Sequence, residues 1–400
     1  GAIRVKYAVV GAGFTGMAAA RRLAELDPQA PIALIEGISV GEGSSARNSG
    51  FLSNFDARSL ATGAEARRIA ALNGFAAEGF EELRRIMRAA GFDCDLVRAG
   101  RVVAAATPGG EAKARATYEG ARAHGVEAQW LDRDALKAVI GSAYYHVGAR
   151  TPEGHLLQPA KLMRGLASAL PTTVTLYENT PVLALDGDGP RTLRTEQARI
   201  TADHVVLATN AAIKHFGFWR DRLVTIYTYA AFTEPLSASD AASLGAPVWG
   251  VLPSHRLGST LRRVGDDRLM VRSLYAYERP LDSAEARAAL TERLHRRFPQ
   301  LAHAKLDHVW GGVTALTMNG SPRWGRIAPG LYASAGCNGS GIVKGTVLGK
   351  RLAEMIVTGD PQQALTAAYG QANWVAPEPF RTLGFHVVSA IEGRKAGAER

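Results

Sequence analysis

Apolar residues along the chain fall into short unbroken runs or into stripes of helical period, and the two kinds alternate. Lys6-Tyr7-Ala8-Val9-Val10 is a mostly apolar run of the kind buried on both faces of a parallel sheet, and Ile32-Ala33-Leu34-Ile35-Glu36 is a second, ending on an acid. Between them residues 17–26 are rich in Ala and Leu and read as a helix stopped at Asp27-Pro28. The periodicity predicts a long helix over 64–90, strands over 92–97 and 100–106, and a helix over 111–124. A strand over 126–131 and a helix over 132–140 follow. Residues 173–178, 180–185 and 202–211 read as further strands. From 220 to 301 the chain turns β-branched and aromatic. Strands are predicted over 223–233, 249–252, 259–263 and 268–272, the last two joined by the Gly265-Asp266-Asp267 turn, with a helix over 283–298. Residues 308–315 lead into 318–326, residues 331–335 read as a strand, and a helix runs to 355. This alternation predicts an α/β (α+β) class, a Rossmann-like domain interleaved with a second domain built on a mainly antiparallel β-sheet.

The first run passes directly into Gly11-Ala12-Gly13-Phe14-Thr15-Gly16, a G-x-G-x-x-G turn between strand and helix. Gly11 permits the tight turn, Gly13 lets backbone amides approach a pyrophosphate, and Gly16 lets helix and strand pack closely. Glu36 stands where an acid accepts from a ribose 2′-hydroxyl, and its charge argues against a 2′-phosphate. The next stretch, with Gly37 and then Ser44-Ser45-Ala46-Arg47-Asn48-Ser49, is small, polar and without apolar period. A nicotinamide enzyme has no need of such a loop there, whereas an extended flavin dinucleotide does. A second glycine-rich turn, Gly336-Cys337-Asn338-Gly339-Ser340-Gly341-Ile342-Val343, opens a helix. Helix N-termini stabilise partial negative charge, which a reduced flavin develops near N1 and the C2 carbonyl. A nicotinamide dehydrogenase would leave that second turn unexplained.

Composition narrows the picture. With 400 residues and 46% hydrophobic content the chain supports one large or two medium cores, and it has no apolar run of membrane-spanning length. The net charge is +10, but the basic residues are dispersed as pairs such as Arg21-Arg22 and Arg262-Arg263 and not interleaved with aromatics. This is an Arg-rich solvated surface with a modest pull on anionic substrates or membrane surfaces, not a nucleic-acid interface. Cys94 and Cys337 are the only cysteines, which suggests neither a disulfide framework nor a metal site and favours a reducing cytoplasm. The first strand starts too early to leave room for a signal peptide, although a processed precursor would look the same.

The first turn taken with Ser44-Ser45-Ala46-Arg47-Asn48-Ser49-Gly50-Phe51 resembles the D-amino-acid oxidase superfamily of flavoproteins, which includes glycine and sarcosine oxidases. Within it the chain is most similar to the γ-glutamylputrescine oxidase and L-pipecolate oxidase branch. The resemblance is most specific over 5–51, 202–211 and 311–350. It implies FAD-binding segments at 1–80, 149–215 and 305–370, substrate-domain segments at 81–148 and 216–304, and a tail at 371–400. It further implies that Val182 holds the adenine end by its backbone, and that Ala208, Thr209 and Gly312 lie beside the cofactor. The implied reaction is oxidation of a C–N bond by hydride transfer to flavin N5, giving an imine. The lead substrate is a secondary amine or an L-pipecolate-like imino or amino acid, with oxygen as acceptor. The alternatives are a γ-glutamylputrescine-type primary amine, a dehydrogenase passing electrons to a quinone, and a non-catalytic flavin-binding subunit. Sarcosine oxidases attach flavin through a cysteine near positions 315–317; none stands there, so FAD is expected to be non-covalent. The lysine that assists oxygen in those relatives is replaced here by Arg262 and Arg263, with Lys344 further on, which leaves the acceptor open.

Candidate site residues follow from the segments that should face the ring. Asn48 and Ser49 come from one side, Asn338 and the following turn from the other. Tyr227 and Tyr229 alternate with Thr225, so all three are expected on one sheet face, holding a carboxylate or amine or else packing as core. Arg262 and Arg272 are carboxylate candidates, and Met318 and Trp324 are expected to wall the pocket. His155 reads as structural, residues 52–55 as a stretch closing over the cofactor, and the tail from 375 as a docking helix or a peripheral membrane contact.

Overall fold

Strand pairing divides the chain between two large sheets. The computed structural model describes residues 1–52, 62–265 and 267–400; residues 53–55 of the expected closing stretch, and Asp266 of the predicted turn, lie outside the described residues. In the first sheet Ala2–Val10 runs parallel to Arg199–Leu207 on one side and to Ile32–Ile35 on the other, and Val174–Tyr177 extends the edge. Leu331–Ala335 pairs in parallel with the end of Arg199–Leu207. Alternation sends Tyr7, Val9, Ile32 and Leu34 into one buried cluster and Ala8, Val10, Ala33 and Ile35 into another. Burial on both faces is why these strands read as unbroken apolar runs.

Helices Phe14–Leu26 and Gly341–Thr358 cross on the first of these faces, and two glycines set their separation. A Cβ on Gly345 would stand 2.9 Å from Thr15 Oγ1, and one on Gly349 only 2.1 Å from the Thr15 carbonyl oxygen. Gly349→Ala is therefore expected to cost about 1–3 kcal/mol by forcing the helices apart. The check is the denaturant midpoint, and an unchanged midpoint would mean that the crossing is looser than described.

The second sheet runs in the order Leu306–Leu316, Val224–Thr233, Arg268–Tyr277, Thr260–Val264, Trp249–Pro253, Arg101–Ala105, Val147–Thr151, Gln129–Leu131. It is antiparallel throughout except where Trp249–Pro253 pairs with Arg101–Ala105. Helix Ser283–Arg297 covers one face through Ala286, Leu290 and Leu294. Strand Leu306–Leu316, which the sequence assigns to the third cofactor segment, is hydrogen-bonded along its length to Val224–Thr233 and so belongs to this sheet.

Several predicted elements change for local reasons. Residues 92–96 are not a strand: Asp93 Oδ1 accepts from the Asp95 amide at 3.0 Å, and Asp95 takes φ 56°. This side-chain turn competes with extended pairing, leaving only Val97–Arg98. Pro181 supplies no amide, and the strand expected from 180 begins at Ala184. The strand predicted to 211 ends at Leu207, and Asn210 at φ 47° turns the chain into the short helix Asn210–Phe216. Arg323–Ala328 is a strand that the pattern did not show, and the tail contains a helix, Phe380–Ala396.

Candidate cofactor and substrate site

Both glycine turns open on one cavity of about 2040 Å³ between the two sheets. Gly11 takes φ 96°, and a Cβ there would stand 2.8 Å from the Ala208 carbonyl oxygen; one on Gly16 would stand 1.8 Å from the Gly11 carbonyl oxygen. Only glycine fits at either point. Gly13 precedes the first helix, and its missing side chain leaves room for Ser45, whose Oγ would stand 2.7 Å from a Cβ at 13. The Phe14 amide points at the same hydroxyl at 3.4 Å. Glu36 Oε2 accepts from the Ala12 amide at 2.8 Å and Oε1 from Ile38 at 3.3 Å. The carboxylate is thus held against the turn, and each oxygen keeps a further lone pair.

The loop after Glu36 is braced by its own side chains. Asn48 Nδ2 donates to the Ser45 carbonyl at 2.6 Å while its Oδ1 accepts from Gly50 at 2.8 Å. The Asn48 amide therefore braces the loop where it borders the cavity. Trp310 Nε1 donates to the Arg47 carbonyl at 3.0 Å, and Arg47 Nη1 returns a bond to Gly311 at 3.1 Å. Arg262, only 4% exposed, donates through Nη1 to the carbonyls of Ser49 at 2.8 Å and Leu157 at 2.6 Å. It clamps the loop from behind and does not line the large cavity, so its substrate role is replaced by a positioning one.

The second turn is stitched just as closely. Gly336, Asn338 and Gly339 all have positive φ. Asn338 Oδ1 accepts from the Thr317 amide at 2.8 Å, and its Nδ2 donates to Gly336 and Gly320 carbonyls at 2.7 and 2.9 Å. The Asn338 side chain therefore shapes the turn, while Gly339, Ser340, Gly341, Ile342 and Val343 line the cavity. Cys337, expected to be buried, is half-buried at the cavity wall, with Asn210 Nδ2 3.4 Å and Thr314 Oγ1 3.2 Å from its sulfur. Lys344 Nζ donates to the Cys337 carbonyl at 3.2 Å. Val182, Ala208, Thr209 and Gly312 also border the cavity.

The second sheet roofs this space with the parity opposite to the one expected. Val224, Ile226, Thr228 and Ala230 face the cavity, and Tyr227 packs in the core beneath helix Ser283–Arg297. Tyr229 nonetheless also borders the cavity, opposite a bulge in the neighbouring strand. Thr228 pairs with Tyr275 and Tyr229 with Ser273, which leaves Leu274 extra at φ 64°. The Tyr229 hydroxyl accepts from the Leu281 amide and its ring is 5% exposed, so it packs rather than presents a free hydroxyl. Trp324 is 7% exposed within the first-sheet core and is not a pocket wall. Met318 is at the rim, 69% exposed.

Arg272 faces the cavity as expected, with Nη1 2.9 Å from the Tyr275 hydroxyl and its guanidinium over that ring. Arg256, Arg279 and Arg381 also line the cavity, as do Glu285 and Glu392, and Arg256 Nε meets Glu392 at 3.0 Å. His155 borders the cavity but packs at a tilt against Phe80, ring centroids 4.7 Å apart, and burial, helped by Arg98, pushes its imidazole below the usual range. Sequence reasoning missed the far wall, where helix Phe380–Ala396 sets Phe385 on Tyr277 at 4.5 Å and Glu378 Oε1 accepts from the Tyr277 hydroxyl at 2.7 Å. Burial and that carboxylate push the phenol up to about 12.

Two helix N-termini and an acid-ended strand turned on one elongated space make this the site of a dinucleotide-dependent oxidoreductase. A profile of the DAO family, described as FAD dependent oxidoreductase, matches residues 6–355, and the chain belongs to that family. It is similar to γ-glutamylputrescine oxidoreductase of Escherichia coli, 27% identical over 361 residues that cover 87% of this chain and 82% of that one. In fold it is similar to glycine oxidase from Geobacillus kaustophilus, with TM-score 0.78 at 20% identity over 94% of this chain and 100% of that one. It is also similar to L-proline dehydrogenase from P. horikoshii, with TM-score 0.72 at 17% identity over 91% and 96%.

The residues present fit FAD. Backbone amides at both helix N-termini, the fixed Glu36 carboxylate and the small-residue loop are donors and acceptors suited to phosphates, ribose and a flat ring. Thr209 Oγ1, buried on the cavity wall, has no hydrogen-bond partner among the described residues.

Proposed function

We propose that the protein oxidises the C–N bond of a secondary amine or an imino or amino acid, using FAD held without a covalent bond. The observation that carries this reading is the opposition of the two cofactor turns to a sheet face bearing Arg272 and Tyr275 across one cavity. Bound FAD would supply the acceptor for a hydride from the carbon beside the amine nitrogen. The chain's own task is to hold and orient. The amides at Gly13 and Phe14 would take the pyrophosphate, Glu36 the ribose, and the Gly341–Thr358 N-terminus the negative charge that builds on the ring. Arg272, steadied by Tyr275, would hold a substrate carboxylate. The apolar roof of Val224, Ile226 and Ala230 would exclude water from the reacting carbon. His155 on the cavity wall packs against Phe80, and the reading takes the substrate amine to lose its proton on binding.

A γ-glutamylputrescine-type primary amine is the second reading, favoured by the E. coli relative and by the further arginines that line the cavity beside Arg272, which suit a distal carboxylate. Oxygen is the acceptor we favour, with a quinone as the alternative, and two free thiols are in keeping with a cytoplasmic location. Oxygen consumption with secondary amines, imino acids and primary amines tests the reading; turnover confined to the primary amines would replace it with the second.

Non-covalent attachment has its own test. Acid or heat precipitation should leave free FAD in the supernatant. Flavin retained on the washed polypeptide would contradict it.

A further inference from the structure

Helix Phe380–Ala396 leaves a row of large apolar side chains exposed. Phe380, Leu383, Val387, Val388 and Ile391 repeat at helical spacing on its outer face, with exposures of 67, 64, 50, 52 and 45%. The inner face is held by the Tyr277–Phe385 stack and by Glu392, whose carboxylate meets Arg256 at 3.0 Å and Lys395 at 3.3 Å. Trp374, 59% exposed, and Met318, 69% exposed, lie at the same cavity rim. Single exposed apolar residues mean little, but a contiguous stripe marks a surface that something covers.

Two observations select the occupant. At the exposed C-terminal end of the helix Lys395 and Arg256 both pair with Glu392, which together with Arg394 leaves a net positive charge, and the chain as a whole carries +10. That charge complements an anionic surface. The exposed Trp374 at the other end is the residue type that settles at the head-group level.

We propose that this stripe is a membrane-docking surface that seats the protein on anionic bilayers, with the mouth of its cavity turned toward the lipid. The orientation follows because Phe380 and Val388 of the stripe, together with Gly384, Trp374 and Met318, line that cavity. The contact is peripheral, since no described helix is long and apolar enough to cross a membrane.

The test is co-sedimentation of the flavin-loaded protein with vesicles of phosphatidylcholine alone or of equal parts phosphatidylcholine and phosphatidylglycerol. The comparison is a Leu383→Ser/Val387→Ser/Ile391→Ser variant, whose three positions do not line the cavity. Binding to the mixed vesicles should exceed binding to phosphatidylcholine and weaken with salt. The variant should lose at least about tenfold of that binding while keeping its flavin content and unfolding midpoint. Equal binding by both proteins would overturn the proposal, as would binding by neither. A dimer of the unmodified protein that the variant dissolves, without vesicle binding, would overturn it too and assign the stripe to a second copy of the chain.

Discussion

Gly13→Val should yield a folded protein that purifies without flavin. A Cβ at this position would stand 2.7 Å from Ser45 Oγ, at the point where the first helix begins and the loop over 37–50 folds back on it. A serine hydroxyl can rotate away from one methyl, so Gly13→Ala is expected to be mild. Valine adds two more methyl groups, which occupy the space that the Phe14 amide and its neighbours present to a phosphate. Losing an anion's access to a helix N-terminus and overpacking the loop together should weaken FAD binding by at least about a hundredfold. Flavin absorbance per chain and circular dichroism read the two parts separately. Full flavin occupancy in the valine protein would mean that the first turn does not hold the phosphates.

Arg262→Met should cost about 2–4 kcal/mol of stability, because it strands the buried carbonyls of Ser49 and Leu157. The effect should not stop at stability. The Ser49 carbonyl anchors the end of the cofactor loop, and Gly50 at φ 72° is shaped around the guanidinium; a Cβ there would meet Arg262 Nη1 at 1.9 Å. Freed from this clamp, the loop should release FAD more readily while the helices of the first sheet stay intact. Urea denaturation monitored by both flavin fluorescence and circular dichroism resolves this: in the variant the flavin signal should be lost first, and in the unmodified protein the two should coincide. Coincident curves in the variant would confine Arg262 to the fold.

These two residues show what could be read from the chain. Gly13 was legible because its turn lies between an apolar run and a helical stripe, and the local pattern carries the chemistry. The acid at 36, the hydroxyl-rich loop and the second glycine turn were legible for the same reason, and the structure brings all of them to one cavity. Arg262 was visible as an arginine on a strand, but its partners are 213 and 105 residues away. Only the packing of two sheets decides whether such a residue faces a substrate or a backbone. The same limit applies to Tyr227 and Tyr229. Period-two alternation correctly set Thr225 and Tyr227 on a common face, yet it could not say which face looks toward the cavity. The bulge at Leu274, a residue type that rarely takes φ 64°, left no mark in the sequence. Asn48 and Asn338 were expected to face the ring, and both border the cavity; that their amides also brace their own turns could not be read from the chain. The far wall of the cavity escaped notice because helix Phe380–Ala396 turns its apolar face outward and so lacks the inward stripe that predicts packing.

The central claim is that an amine gives up its electrons within this cavity. Anaerobic mixing of the flavin-loaded protein with pipecolate, proline, sarcosine, glycine, lysine and γ-glutamylputrescine tests it most directly. The account predicts rapid bleaching of the flavin by a secondary amine or imino acid, reversed when air is admitted. No bleaching by any member of the panel, in protein whose flavin is reduced by dithionite, would contradict it.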